Sequence, residues 1–132
     1  MPLSMPLRLL AEIVSVSPAR PPAQKPDFTP MRPIITLTTD FGEREPYVAA
    51  MKGVILSICP QAHIVDLSHA IAPQDVLEGA LFLAGSMPYW PAGTIHVAVV
   101  DPGVGSERQV IAMESDGHLF LAPDNGVLAA VE

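Results

Sequence analysis

Cysteine is nearly absent: Cys59 stands alone in 132 residues, which excludes an intrachain disulfide and a thiolate-only zinc site. That scarcity favours a reducing compartment, so the cytoplasm is the expected location. Basic side chains are also few, with 7 Lys and Arg against 14 Asp and Glu and a formal net charge of -7. A chain of that sign lacks the basic footprint that neutralises phosphates, so nucleic acid is not an expected partner. No apolar run reaches the ~20 residues that a bilayer span requires, so no membrane association is expected.

Proline is what the chain has in plenty, and its distribution is uneven. Eight of the fifteen prolines fall in residues 1–33, together with four of the seven basic residues. An arginine ahead of an apolar stretch loosely suggests a secretory signal, but Glu12 interrupts the stretch and two prolines precede it. Residues 1–32 are therefore expected to be a disordered, proline-rich leader. Met31, just before the first β-rich run, is an alternative start. The remaining length, residues 33–132, suits one domain, and a hydrophobic content of 49% suits a packed core.

From Ile34 onward short β-rich runs alternate with helical ones. PIITLTTD reads as a strand that ends at Asp40, and EPYVAAMKGVILSICP reads as a helix opened by Pro46 and stopped by Pro60. Val48, Met51, Val54, Ile55 and Ile58 lie at helical spacing in it. AHIVDLSH is a second strand. PQDVLEGALFLAG is a second helix, with Val76, Leu77, Ala80, Leu81 and Ala84 expected on its buried face and Gly85 at its end. GTIHVAVVD, apolar almost throughout, suits a strand covered on both faces. QVIAMES and HLFLAPD flank Asp116-Gly117 as a β-hairpin. The alternation predicts an α/β fold, a mostly parallel sheet with flanking helices. DNGVLAAVE reads as the start of a further helix, and part of the domain is expected to be missing.

Four of these strands finish on an acid, at Asp40, Asp66, Asp101 and Asp124. Ligands of open α/β sheets bind beyond the carboxyl ends of the strands, so such aspartates converge on one rim. Strand-end aspartates also serve as caps and turn residues, and Asp66 and Asp124 fit that plainer role. Asp101 is different because DPGVGSER follows it, and a loop eased by Gly103 and Gly105 can return Arg108 to its carboxylate. Spacing alone leaves two readings open: an ordinary surface ion pair, or a fixed pair that polarises water or grips a polar substrate. Asp66 and His69 are expected to be hydrogen-bonded to each other, and His96 and His118 to be structural. No metal site is expected. The rim of aspartates also leaves a metal-dependent phosphoesterase as a distant alternative.

ITLTTDFG, YVAAMKGVILSICPQAHIVDLSH, APQDVLEGALFL, GTIHVAVVDPGVGSER and APDNGVL, in this order, resemble the N-terminal domain of the S-adenosylmethionine (SAM) hydroxide adenosyltransferases, relatives of fluorinases and chlorinases. The resemblance covers nearly all of residues 33–131 and implies a Rossmann-like domain. It implies hydrolysis of SAM, with water attacking the ribose 5′ carbon to give adenosine and L-methionine. SAM is then the substrate and no cofactor is required. On this resemblance Asp101 and Arg108 are catalytic members of an Asp-Arg-His set, and Asp40 binds the ribose hydroxyls. The halogenating relatives carry a tyrosine where Asp101 stands, which favours hydroxide as the nucleophile here. The family's catalytic histidine lies in an FHGRD-type segment that this sequence does not contain, and its C-terminal β-barrel-like domain is absent as well. A homotrimer is implied for the intact family protein, while this chain alone is expected to hydrolyse SAM poorly or not at all. A non-catalytic SAM- or adenosine-binding fragment and a non-functional remnant are the alternatives.

Overall fold

The computed structural model describes residues 32–103 and 105–132, so the leader through Met31 lies outside the described residues. Strands β1 (Ile34–Thr39), β2 (His63–Ser68), β3 (Ile95–Val99), β4 (Val110–Ser115) and β5 (His118–Pro123) form one sheet in the order β2-β1-β3-β5-β4. The first four strands in that spatial order are parallel, and β4 runs antiparallel to β5 at the edge. Asp116 and Gly117 both have positive φ, 50° and 77°, which is the backbone a two-residue hairpin turn demands. The α/β expectation therefore holds, including the hairpin.

Helices α1 (Tyr47–Ile58) and α2 (Val76–Ser86) cover opposite faces. Met51 and Ile55 of α1 pack on Ile35, Leu37, Val97, Val99 and Leu121. Leu83 of α2 packs on Ala98, Val100, Phe120 and Ala122 from the other side. Alternate residues of β3 thus enter different cores, which explains its unbroken apolar character.

Two helix faces differ from the sequence expectation. Ile58 ends α1 with 54% exposure, and Leu77 and Leu81 of α2 are 68% and 60% exposed. The cause in α2 is Gly79, where a Cβ would lie 3.2 Å from Val100 Cγ2 and 3.3 Å from Val127 Cγ2. Its missing side chain lets α2 approach the sheet along Gly79, Ala80 and Leu83, which turns Leu77 and Leu81 outward. The helix starts where Asp75 accepts a hydrogen bond from the Glu78 N–H at 2.9 Å, and Gly85 lies inside it.

The segment from Asp124 also departs from expectation, because it forms turns closed by Ala129 N–H to Gly126 O and Val131 N–H to Leu128 O, each at 3.0 Å. The Asn125 amide donates to the Val100 carbonyl at 2.8 Å, and its oxygen accepts from Val127 N–H at 3.1 Å. Those bonds hold the chain against the sheet and bury Val127, Leu128 and Val131. A polar chain crosses the same face: Thr36 Oγ1 and His96 Nδ1 lie 2.7 Å apart, and His96 Nε2 lies 3.1 Å from His118 Nδ1. His96 is fully buried and stacks on Phe120 with ring centroids 5.0 Å apart.

Candidate active site

In the order β2-β1-β3 the chain leaves β1 to one side and then returns to the other, so the topological switch lies between β1 and β3. Such a switch opens a crevice at the carboxyl ends of the strands. Asp40 follows β1 directly, and Asp101 lies two residues beyond β3, whose Val99 is in register with Thr39. Both candidates therefore sit on one edge, on neighbouring strands. Asp124 follows β5 on that edge with an exposed side chain. Asp66 does not join them, because it lies within β2, where it pairs with Lys52 of α1 at 2.6 Å.

Asp101 and Arg108 form an ion pair through Oδ2 and Nη2, with their side chains 1% and 17% exposed. The loop between them is tied tightly. Asp101 Oδ1 accepts from Gly103 N–H at 2.9 Å, Gly103 O accepts from Ser106 N–H at 2.9 Å, and Ser106 Oγ accepts from Arg108 N–H at 3.4 Å. A Cβ at residue 103 would lie 3.0 Å from Ser106 Oγ and 3.4 Å from Asp101 Oδ1, so a side chain there would crowd the fold-back. With Asp101 fully buried and Arg108 little exposed, this is not the solvated surface pair that spacing left open. Arg108 Nε is buried with no hydrogen-bond partner among the described residues, so the guanidinium keeps a donor in reserve.

Asp40 is half-buried, and its Oδ2 accepts from Gln74 N–H at 2.7 Å. Gln74 has φ 64°, a left-handed conformation that is strained for a side-chain-bearing residue, and it aims this amide at Asp40 from the loop before α2. A carboxylate has about four acceptor sites, so Asp40 retains capacity for a second partner such as a diol.

Asp66 and His69 are bonded as the sequence suggested, Oδ1 to Nε2 at 2.9 Å. Burial acts to raise the Asp66 carboxyl, but hydrogen bonds from Lys52 and His69 outweigh it and hold the group below its ordinary value. Sequence reasoning did not find Gln74 or Asn125. Gln74 meets Asp40 across 34 residues and Asn125 meets Val100 across 25. The only available signal for either was its place in the APQD and PDNG stretches.

Residues 35–132 match the family described as SAM hydroxide adenosyltransferase N-terminal domain. A protein from Methanocaldococcus jannaschii named (R)-S-adenosyl-L-methionine hydrolase is 50% identical over 103 residues, covering 74% of this chain and 39% of the relative. A protein named fluorinase from an Actinoplanes species is 30% identical over 122 residues, covering 75% of this chain and 41% of the relative. Among solved structures, a conserved hypothetical protein from Thermus thermophilus superimposes with a TM-score of 0.69 at 41% identity, over 76% of this chain and 41% of that one. The chain thus spans about two fifths of the length of the relatives it matches.

Proposed function

We propose that in this chain, which belongs to the SAM hydroxide adenosyltransferase family through its N-terminal domain, the β1–β3 rim is the adenosyl-binding and water-orienting part of a SAM hydrolase site. The observation that carries this reading is the buried Asp101–Arg108 pair standing beside Asp40 at the switch point. Asp40 accepts hydrogen bonds from the ribose hydroxyls. Asp101, paired with Arg108, accepts a hydrogen bond from the attacking water and turns the water's lone pair toward the 5′ carbon. The new C–O bond forms as the C–S bond breaks, the bonding pair leaves on the methionine sulfur, and the proton lost by the water passes to the site or to solvent. A sulfonium is already a good leaving group, so the protein's part is positioning and electrostatics. Aspartate at position 101 suits water, because a carboxylate attracts a water proton and repels a halide. The same reading has the intact protein in the cytoplasm as a homotrimer, with the single cysteine supporting the reducing location.

A second reading, adenosine or SAM binding without turnover, draws on the histidines. Among the described residues, His69, His96 and His118 are hydrogen-bonded to groups other than Asp101 and Arg108, and His63 is exposed at the start of β2. Calorimetric titration with adenosine, alongside chromatography of SAM incubations, separates the two. Under either reading Asp40→Ala is expected to weaken adenosine binding at least about tenfold, since hydrogen bonds to a charged acceptor are lost. An Asp40→Ala variant that binds adenosine like the wild type would overturn both. Adenosine release that depends on Asp101 favours the hydrolase.

A further inference from the structure

We propose that Lys52, Asp66, His69 and Thr39 form a hydrogen-bonded relay that positions Asp40, making His69 and Thr39 positioning residues of the site. The proposal rests on the reading of Asp40 as the ribose-binding carboxylate. Four contacts run in series: Lys52 Nζ to Asp66 Oδ2 at 2.6 Å, Asp66 Oδ1 to His69 Nε2 at 2.9 Å, His69 Nδ1 to Thr39 Oγ1 at 2.8 Å, and Thr39 Oγ1 to Phe41 N at 3.2 Å. The directions follow for a neutral imidazole. The Asp66 carboxylate only accepts, so His69 Nε2 carries the proton, and in a neutral ring Nδ1 is the acceptor. Thr39 must then donate its hydroxyl proton to Nδ1, which frees its oxygen to accept from the Phe41 N–H. The carbonyl of His69 accepts from Gly42 N–H at 2.8 Å, so one histidine braces both peptide N–H groups that follow Asp40.

The strand geometry supports a built arrangement. Leu37 pairs with Asp66 and Thr38 pairs with Ser68, so β2 carries one extra residue, Leu67, opposite β1. Asp66 and His69 are three apart, and in a regular strand they would point to opposite faces. The irregularity re-aims the chain so that the carboxylate and the ring meet, a use of bulges that recurs beside functional sites. Thr39 is fully buried and His69 nearly so, with 7% exposure, while Asp66 and Lys52 lie near the surface. The relay therefore runs from the surface of α1 to the backbone that carries Asp40.

Thr39→Val and Thr39→Ser separate positioning from packing. Valine keeps the shape of threonine and removes the hydroxyl; serine keeps the hydroxyl and removes a methyl group. If Thr39 only fills space, valine is the milder change. The relay requires the reverse: Thr39→Val weakens adenosine affinity about tenfold and speeds amide exchange at Phe41 and Gly42, while Thr39→Ser preserves both. Asp66→Asn, at a more exposed position, is expected to speed the same two amides. Thr39→Val matching the wild type in affinity and exchange, or Thr39→Ser as damaged as Thr39→Val, overturns the relay. Absence of adenosine binding by the wild type would count against the ribose reading of Asp40, and the exchange rates at Phe41 and Gly42 would still decide the relay.

Discussion

Truncating Arg108 to alanine is expected to destabilise the chain by about 3–5 kcal/mol, because it leaves the Asp101 carboxylate buried without its counter-charge. The side chain of Asp101 is 1% exposed and retains only the Gly103 N–H as a hydrogen-bond donor. Arg108 is itself 17% exposed, so some water reaches the pair and the lower end of that range is the better expectation. Removing both charges is a different experiment. Asp101→Asn combined with Arg108→Met keeps an oxygen for the Gly103 N–H and fills the volume of the guanidinium stem. Buried ion pairs replaced by neutral groups of similar size often lose no stability, so the double variant is expected to recover to within about 1 kcal/mol of the wild type. It is not expected to regain any role in orienting water. Stability and chemistry would then separate, as they should if the pair is retained for the reaction. Urea denaturation of the three proteins measures this, and an Arg108→Ala variant within about 1 kcal/mol of the wild type would show the pair to be the plain surface contact.

The second large effect is acid sensitivity at the other end of the sheet. Burial, reinforced by the neighbouring His118, draws the His96 imidazole down from 6.5 to about 4. The folded chain therefore keeps His96 neutral in a pH window where the unfolded chain protonates it. Between pH 6.5 and about 4 the unfolded state binds the extra proton, so stability is full above that window and falls as the pH is lowered through it. The displacement corresponds to a loss of about 3 kcal/mol from this residue across the whole window. No Asp, Glu, Lys or Arg among the described residues is hydrogen-bonded or ion-paired to either ring. Carboxylates titrate in part of the same range, and a His96→Gln variant isolates the histidine: its urea midpoint should depend less on pH. A wild-type His96 ring resonance that titrates near the ordinary 6.5 would refute the effect without any variant.

Much of this architecture was legible in the sequence because its signals are local. Alternation of β-rich and helical runs gave the α/β class, Asp116-Gly117 gave the hairpin, and the glycines between Asp101 and Arg108 marked a loop able to fold back. The misreadings arose where a distant neighbour decided the outcome. The apolar pattern of α2 fits two faces equally well, and Gly79 against Val100 and Val127 selects between them. The stretch after Asp124 has helical composition, but Asn125 is captured by the Val100 carbonyl, 25 positions earlier. Asp66 lies inside the AHIVDLSH run and inside β2, so it does not share the rim of the strand-end acids. The site follows the same division: Asp40, Asp101 and Arg108 stand out by motif, whereas Gln74, Thr39 and Lys52 acquire meaning only through contacts.

Nuclear magnetic resonance of the ¹⁵N-labelled chain titrated with adenosine shows where the nucleoside sits. Amide shifts concentrated at Asp40–Gly42, Gln74, Gly103 and Arg108 are expected, because those groups line the β1–β3 rim or carry the side chains that do. No shifts at saturating nucleoside, or shifts confined to residues away from that rim, would mean that the β1–β3 rim is not the adenosyl site.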